Sequence, residues 1–150
     1  MKISRAGIKL IKKHEGCRLQ AYKDSVGVWT IGYGTTNSDI VITGREIKAG
    51  VSITKQEAEK WLVKSINTKY SKKVMAYDNK YHWNQNQFDA LCSFAYNIGS
   101  IDQLVQNGTR RLEDISKAIP LYNKAGGQEL EGLTKRRAEE KKLFDKPVKR

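Results

Sequence analysis

The chain has 150 residues, 39% hydrophobic and 29% charged. That is enough for one domain that buries about two-thirds of its unfolded surface. Lys and Arg number 28 against 16 acids, a net charge of +12, which implies an anionic partner and disfavours self-association, so a monomer is expected.

The excess charge is concentrated at residues 2–13 and 135–150. No zinc-finger spacing, RNP-like aromatic motif or basic zipper accompanies it, so nucleic acid is not the favoured partner. Two prolines, no low-complexity stretch and no internal repeat argue for a single unit without a linker. Cys17 and Cys92 lack CxxC spacing, which argues against a zinc site and for reduced thiols; no metal and no cofactor is expected. The basic start MKISRAGIKLIKKHEG has its apolar residues broken by Lys9, Lys12 and Lys13. It therefore reads neither as a signal peptide nor as a membrane segment, and a cytoplasmic product is expected.

In chain order, Ile3, Gly7, Leu10 and Ile11 share a helical stripe, which predicts a short helix over residues 4–14 stopped by Gly16. Residues 18–23 and 28–34 read as strands joined by the turn Asp24-Ser25-Val26-Gly27. Along the second strand Trp29, Ile31 and Tyr33 should face the packing side. Thr30, Gly32 and Gly34 should form a bare face that a ligand can approach closely. Residues 35–53 read as loop with short β stretches such as Ile40-Val41-Ile42. Thr54 and Glu57 form a capping box that opens a long helix to about Lys72. Asn84 caps a further helix, apolar at Phe88, Leu91, Cys92 and Ala95, that ends near Gly99. Short helices to Pro120 follow, then a turn at Ala125-Gly126-Gly127 and a basic helix from Thr134 to about Asp145. Trp61, Phe88, Phe94 and Phe144 read as core.

Glu15, Asp24 and Thr30 are the chemically suggestive residues. Taken singly, each has an ordinary explanation: a solvated helix-end glutamate, a turn aspartate and a strand threonine. Taken together, two carboxylates and a hydroxyl are the parts that break a glycosidic bond. At the negative end of a helix dipole an ionised carboxylate is disfavoured by up to about 1 kcal/mol, which suits Glu15 to proton donation. A turn holds Asp24 rigidly.

The run EGCRLQAYKDSVGVWTIGYG, with Glu15, Asp24 and Thr30 at its fixed spacing, resembles the phage lysozyme family, the muramidase endolysins of glycoside hydrolase family 24. FDALCSFAYNIG (88–99), YNKAGG (122–127) and GLTKRRAEEKKLF (132–144) continue the resemblance in the same order. Thr35 departs from it, since histidine commonly follows Tyr-Gly there. The resemblance implies an α+β, lysozyme-like fold, mainly helical, with a small antiparallel β-sheet lobe and a long connecting helix. The chain would be one bilobed domain over 1–150, with a small lobe at about 15–60 and a helical lobe at 1–14 and 61–150.

The resemblance further implies cleavage of the β-1,4 bond between N-acetylmuramic acid and N-acetylglucosamine of peptidoglycan, in host cell lysis. Glu15 matches the general acid, Asp24 the second carboxylate acting through water, and Thr30 the hydroxyl that places that water. Inversion would go with a carboxyl separation of about 6.5–9.5 Å, retention with about 5–5.5 Å. Thr36, Tyr96 and Asn97 are expected on the cleft walls, with Gly32 and Gly34 supporting, and either Arg136 or Arg137 paired with Glu15. The protein would stay in the host cytoplasm until a separate holin opens the way to the cell wall, where anionic wall polymers would attract the basic surface. A lytic transglycosylase on the same bond, and less so a basic nucleic-acid-binding protein, are the alternatives.

Overall fold

The computed structural model describes residues 1–148 of the chain. The helix α1 (Arg5–Glu15) is fixed at both ends. At its start, Asp89, fully buried on a later helix, accepts the Ser4 backbone N–H at 3.0 Å and the Ser4 hydroxyl. At its end, Gly16 takes φ 68 and its N–H bonds back to Lys12, the C-terminal stop that glycine allows. Gly7 lets α1 lie close to its neighbour, because an added Cβ would meet the Asp89 Cβ at 2.9 Å.

A three-stranded antiparallel sheet follows, in the order β1 (Arg18–Lys23), β2 (Trp29–Gly32) and β3 (Thr35–Thr36). The second strand stops at Gly32 rather than Gly34, because Tyr33 and Gly34 turn the chain into β3, pairing Ile31 with Thr35. The segment Ile40–Thr43 is a helical turn, α2, not β structure. Among the described residues no strand pairs with it: Val41 projects into solvent, and Asn37 clamps the segment by exchanging hydrogen bonds with Ile47.

The expected capping box is present. The Thr54 hydroxyl accepts from Glu57 N, while the Glu57 carboxylate accepts from Thr54 N. It opens α3 (Lys55–Ser65), which widens into a π-type turn (Ile66–Tyr70) and continues as α4 (Ser71–Met75). The helical run thus extends past Lys72 and carries an irregularity of the kind often found at functional sites. A short α5 (Asp78–Tyr81) precedes α6 (Gln85–Ile98), capped by Asn84 with Gln87 and closed by Gly99 at φ 113.

Phe88 through Ala95 are all buried, so α6 is the central rod, packed against α1, α4 and the last helix. After α7 (Leu112–Ala118), Pro120 sits within a 3-10 turn, Ile119–Leu121, instead of ending a helix. A small hairpin, β4 (Lys124–Ala125) with β5 (Gln128–Glu129), surrounds the predicted glycine turn. The final helix α8 (Glu131–Asp145) begins one turn before Thr134. The Thr134 side chain accepts a hydrogen bond from Asn123 at 3.0 Å instead of capping. The fold is α+β, mainly helical, and one apolar cluster runs from Ile11 and Ile31 through Leu62 and Phe88 to Phe144.

Candidate active site

Glu15 is the last residue of α1, and its side chain is 20% exposed. Arg136 Nη1 on α8 donates to its Oε2 at 2.6 Å. The same guanidinium donates through Nε to Glu140 Oε2 at 3.3 Å and through Nη2 to the Ser93 carbonyl at 3.1 Å. Glu140 is fully buried and also accepts from the Ser93 hydroxyl at 2.6 Å and from Arg137 Nη2 at 3.1 Å. Arg137 Nη2 bonds Asn97 Oδ1 at 2.8 Å, and its guanidinium lies over the Phe94 ring.

Two carboxylates and two guanidiniums thus balance one another between α1, α6 and α8. The network answers which arginine meets Glu15: Arg136 touches the glutamate, while Arg137 props up Arg136's counter-ion and Asn97. Arg136 presents its fork to three acceptors, a task a point-like ammonium could not perform. Burial drives the Glu140 carboxyl upward, and Arg137, Ser93 and Arg136 oppose that shift.

Glu15 lines two adjoining hollows. One, of about 270 Å³, is walled by Gly34, Thr36, Ser38 and Asp39 on the sheet side and by Tyr70, Tyr96 and Asn97 on the helical side. The other, of about 350 Å³, runs past Asn97 and Arg136 to Leu130 and Leu133. The same three residues, Asn97, Leu130 and Leu133, lead into a third space of about 660 Å³ beside Leu121, Tyr122 and Lys124. Shared linings join the three hollows into one trough.

Tyr96 bridges its walls by donating its hydroxyl to the Tyr33 carbonyl at 2.6 Å, and its ring meets Tyr70 edge-on at 5.2 Å. Burial first, then the nearby Glu15 carboxylate, push the Tyr96 phenol upward; burial also raises Tyr70. Both are therefore neutral donors at ordinary pH. Opposite them, Asp39 is buried between Lys69 Nζ at 2.6 Å and Ser65 Oγ at 3.4 Å, tying the sheet side to the π-type turn.

The structure brings Glu15, Gly34, Thr36, Tyr96, Asn97 and Arg136 together on this lining. Asp24, Thr30, Gly32 and Arg137 are not on it. Asp24 sits in the hairpin turn, where its Oδ1 accepts from Val26 N and Val28 N, both at 2.9 Å. Among the described residues its other oxygen accepts no bond. Thr30 is 5% exposed, and its hydroxyl donates to the Val28 carbonyl at 3.0 Å.

The expected bare face of β2 is closed at Gly32. A Cβ added to Gly32 would meet the Ala58 Cβ at 3.2 Å, so this glycine serves the approach of α3 and not of a ligand. Gly34 is the glycine that does face the cleft: at φ 90, an added Cβ would lie 3.4 Å from both Glu15 Oε1 and Tyr96 Oη.

Glu140, Ser93, Asp89, Asp39 and Tyr70 escaped sequence reasoning. Asp89 and Ser93 carried a signal, as polar residues inside an otherwise apolar helix. Glu140 carried one too, four residues after Arg136. Asp39 and Tyr70 carried none. Cys17 and Cys92 are both free thiols. Among the described residues no helix is long and apolar enough to cross a membrane.

The fold is thus an α+β one, a helical body with a small sheet, whose cleft carries an arginine-held glutamate at a helix end. The family model described as phage lysozyme matches residues 12–140, and the chain belongs to that family. It is 42% identical over 152 residues to the endolysin of Lactococcus phage c2, covering 99% of this chain but 62% of that protein. The chain therefore spans less than two-thirds of the length of the curated relatives that it first matches. With the endolysin of Salmonella phage P22 it shares 34% identity, over 96% of this chain and 98% of that one. Among solved structures, the muramidase domain of SpmX from Asticaccaulis excentricus superposes with a TM-score of 0.75 at 36% identity. That match covers 97% of this chain and 99% of that domain.

Proposed function

We propose that this protein is a peptidoglycan hydrolase, a lysozyme of host cell lysis that cleaves the β-1,4 bond between N-acetylmuramic acid and N-acetylglucosamine. The observation that carries the reading is Glu15 fixed at 2.6 Å by Arg136 inside a trough between the sheet and the helices, in a member of the phage lysozyme family.

In this reading Glu15 gives its proton to the leaving glycosidic oxygen. Arg136 sets the direction of that carboxyl, and because Glu140 shares the guanidinium, Glu15 is not its sole counter-ion. Asp24 is the ionised partner. Its Oδ1 is locked by two backbone N–H groups, which leaves Oδ2 to take a proton from water on the opposite face of the sugar. The Thr30 hydroxyl, whose hydrogen is committed to the Val28 carbonyl, keeps its lone pairs to receive that water. Thr36, Tyr96 and Asn97 offer polar groups to the glycan, and Gly34 leaves room for it beside Glu15. The reaction inverts the anomeric centre.

The single bilobed domain, with a small lobe over about 15–60, folds around this cleft and works as a monomer. Before lysis the protein waits in the host cytoplasm; a separate holin then admits it to the cell wall, where anionic wall polymers attract its +12 charge.

The test is clearing of a peptidoglycan suspension, with mass spectrometry of the released fragments. Wild type should clear the suspension and release fragments with an ordinary reducing end. Glu15→Gln should lose at least about a hundredfold in rate, the scale of a general acid. Asp24→Asn should lose nearly as much, and Thr30→Ala less. Equal clearing by wild type and Glu15→Gln would overturn the reading.

A further inference from the structure

The two basic clusters, 120 or more positions apart in the chain, meet on one face. Where α1 packs against α8, a groove of about 340 Å³ opens. Its floor is carbon, from Ala6, Leu10 and Leu143, and its rims are lysines. Lys9 and Lys13 stand one turn apart on α1, and Lys142 and Lys146 lie four residues apart on and just after α8. Such a spacing is about 6 Å along a helix axis. Lys13 is held by Glu139 at 2.5 Å, and this carboxylate, which also binds His14, is the acid of the groove. Lys9, Lys142 and Lys146 are exposed and have no acidic partner among the described residues. Three free cations over an apolar floor are left by the fold without a use.

The chemistry selects the occupant. Cations on both sides of a trough repel one another, and an anionic chain lying between them relieves that repulsion. A flat bilayer would touch the rims without reaching the floor. A single-stranded nucleic acid adds to its phosphate contacts the stacking of its bases on aromatic rings, and no aromatic residue lines this groove. A chain of phosphodiesters joined by short polyol links has what the groove matches: closely spaced anions for the lysines, and slim links whose C–H faces can lie over Leu10 and Leu143.

We propose that the α1–α8 groove is a docking site for a linear polyphosphodiester of the cell wall, separate from the cleft and beside the Glu15 end of α1. The proposal rests on the wall-hydrolase reading and names the seat and the partner of its basic charge. Docking there holds the enzyme on the wall while the trough stays free for the glycan.

The experiment compares retention on native walls bearing such polymers with retention on the same walls stripped by cold hydrofluoric acid. Glu15→Gln is the parent, so that walls are not consumed, and the triple variant Lys9→Gln, Lys142→Gln, Lys146→Gln is built on it. At low ionic strength the triple variant should be retained about tenfold less on native walls and equally on stripped ones. Soluble poly(glycerol phosphate) should release the parent. Since the three lysines are exposed, the melting temperature should not change. Equal retention of both proteins on native walls overturns the proposal, as does an equal loss on stripped walls. Tighter binding of the parent to anionic vesicles or to an oligodeoxythymidine than to poly(glycerol phosphate) also overturns it, in favour of that partner. Failure of the wild-type protein to clear stripped walls would instead count against the hydrolase reading and leave the docking result standing.

Discussion

The position of Glu15 is decided by one guanidinium with three acceptors. Replacing Arg136 by lysine keeps the charge but not the fork, so Glu15, Glu140 and the Ser93 carbonyl can no longer be held at once. Arg136→Lys should therefore fold, melt somewhat lower and clear peptidoglycan at least about tenfold more slowly, since misplacing a reacting group by about 1 Å is enough for such a loss. Enzyme assays and thermal unfolding of the same samples would separate the two effects. Gly34 tests the other side of the carboxyl. Its φ of 90 is strained for any residue with a Cβ, and that atom would fill the space against Glu15 Oε1 and Tyr96 Oη. Gly34→Ala is expected to lower stability by about 1–2 kcal/mol and to reduce clearing beyond what lost stability explains. Unchanged activity would mean that the glutamate's place is not set from this side.

At the scale of elements, the two sides of the cleft are tied to the long helical run from α3 through the π-type turn to α4. The sheet seats on α3 through Gly32 against Ala58, and the Asp39–Lys69 pair fastens the segment after β3 to the π-type turn. That turn also carries Tyr70 into the cleft, against Tyr96 on α6. The irregularity in the long helix thus lies where three elements must meet at one point. Gly32→Ala should act on packing alone. At φ 65, with a contact of 3.2 Å to form, it should destabilise by about 1–3 kcal/mol, the usual range for overpacking. The folded fraction should keep its specific activity, measured as clearing per folded molecule. A selective loss of activity would return Gly32 to the ligand-facing role its sequence position suggested.

At the scale of the molecule, raised tyrosines are expected to bear on alkaline stability. The Tyr77 phenol is pushed up to about 12, first by its hydrogen bond to Asp102 and then by burial. Tyr33, Tyr70, Tyr81 and Tyr96 are also raised, mainly by burial. A phenol raised in the folded state contributes stability that is complete below its unfolded value near 10 and is lost as pH climbs through the folded value. Thermal stability should therefore hold to about pH 10 and fall steeply from there towards 12. Tyr77→Phe should be less stable than wild type at pH 8 yet lose less between pH 10 and 12; parallel curves for the two proteins would show that Tyr77 does not take part.

Much of this protein was legible in its sequence because the signals are local. Thr54 with Glu57, and Asn84, encode helix starts locally, Gly16 and Gly99 encode stops, and Asp24 to Gly27 encodes a hairpin. The fold class and the order of its main elements follow from these, together with the resemblance carried by the spacing of Glu15, Asp24 and Thr30. Side-chain pattern alone misread Ile40-Val41-Ile42, whose β-branched run favours strand when a partner exists, and none does. It also placed Gly32 on an open face, since alternation along a strand says nothing about the helix that covers it. Tertiary structure decided what depends on distant residues: Arg136, 121 positions from Glu15, over its neighbour Arg137; Gly34 over Gly32 beside the cleft; and two terminal lysine clusters joined on one groove. Local hydrogen bonding and hydrophobic period are written in neighbouring residues, whereas which charge meets which is fixed only when packing brings helices together.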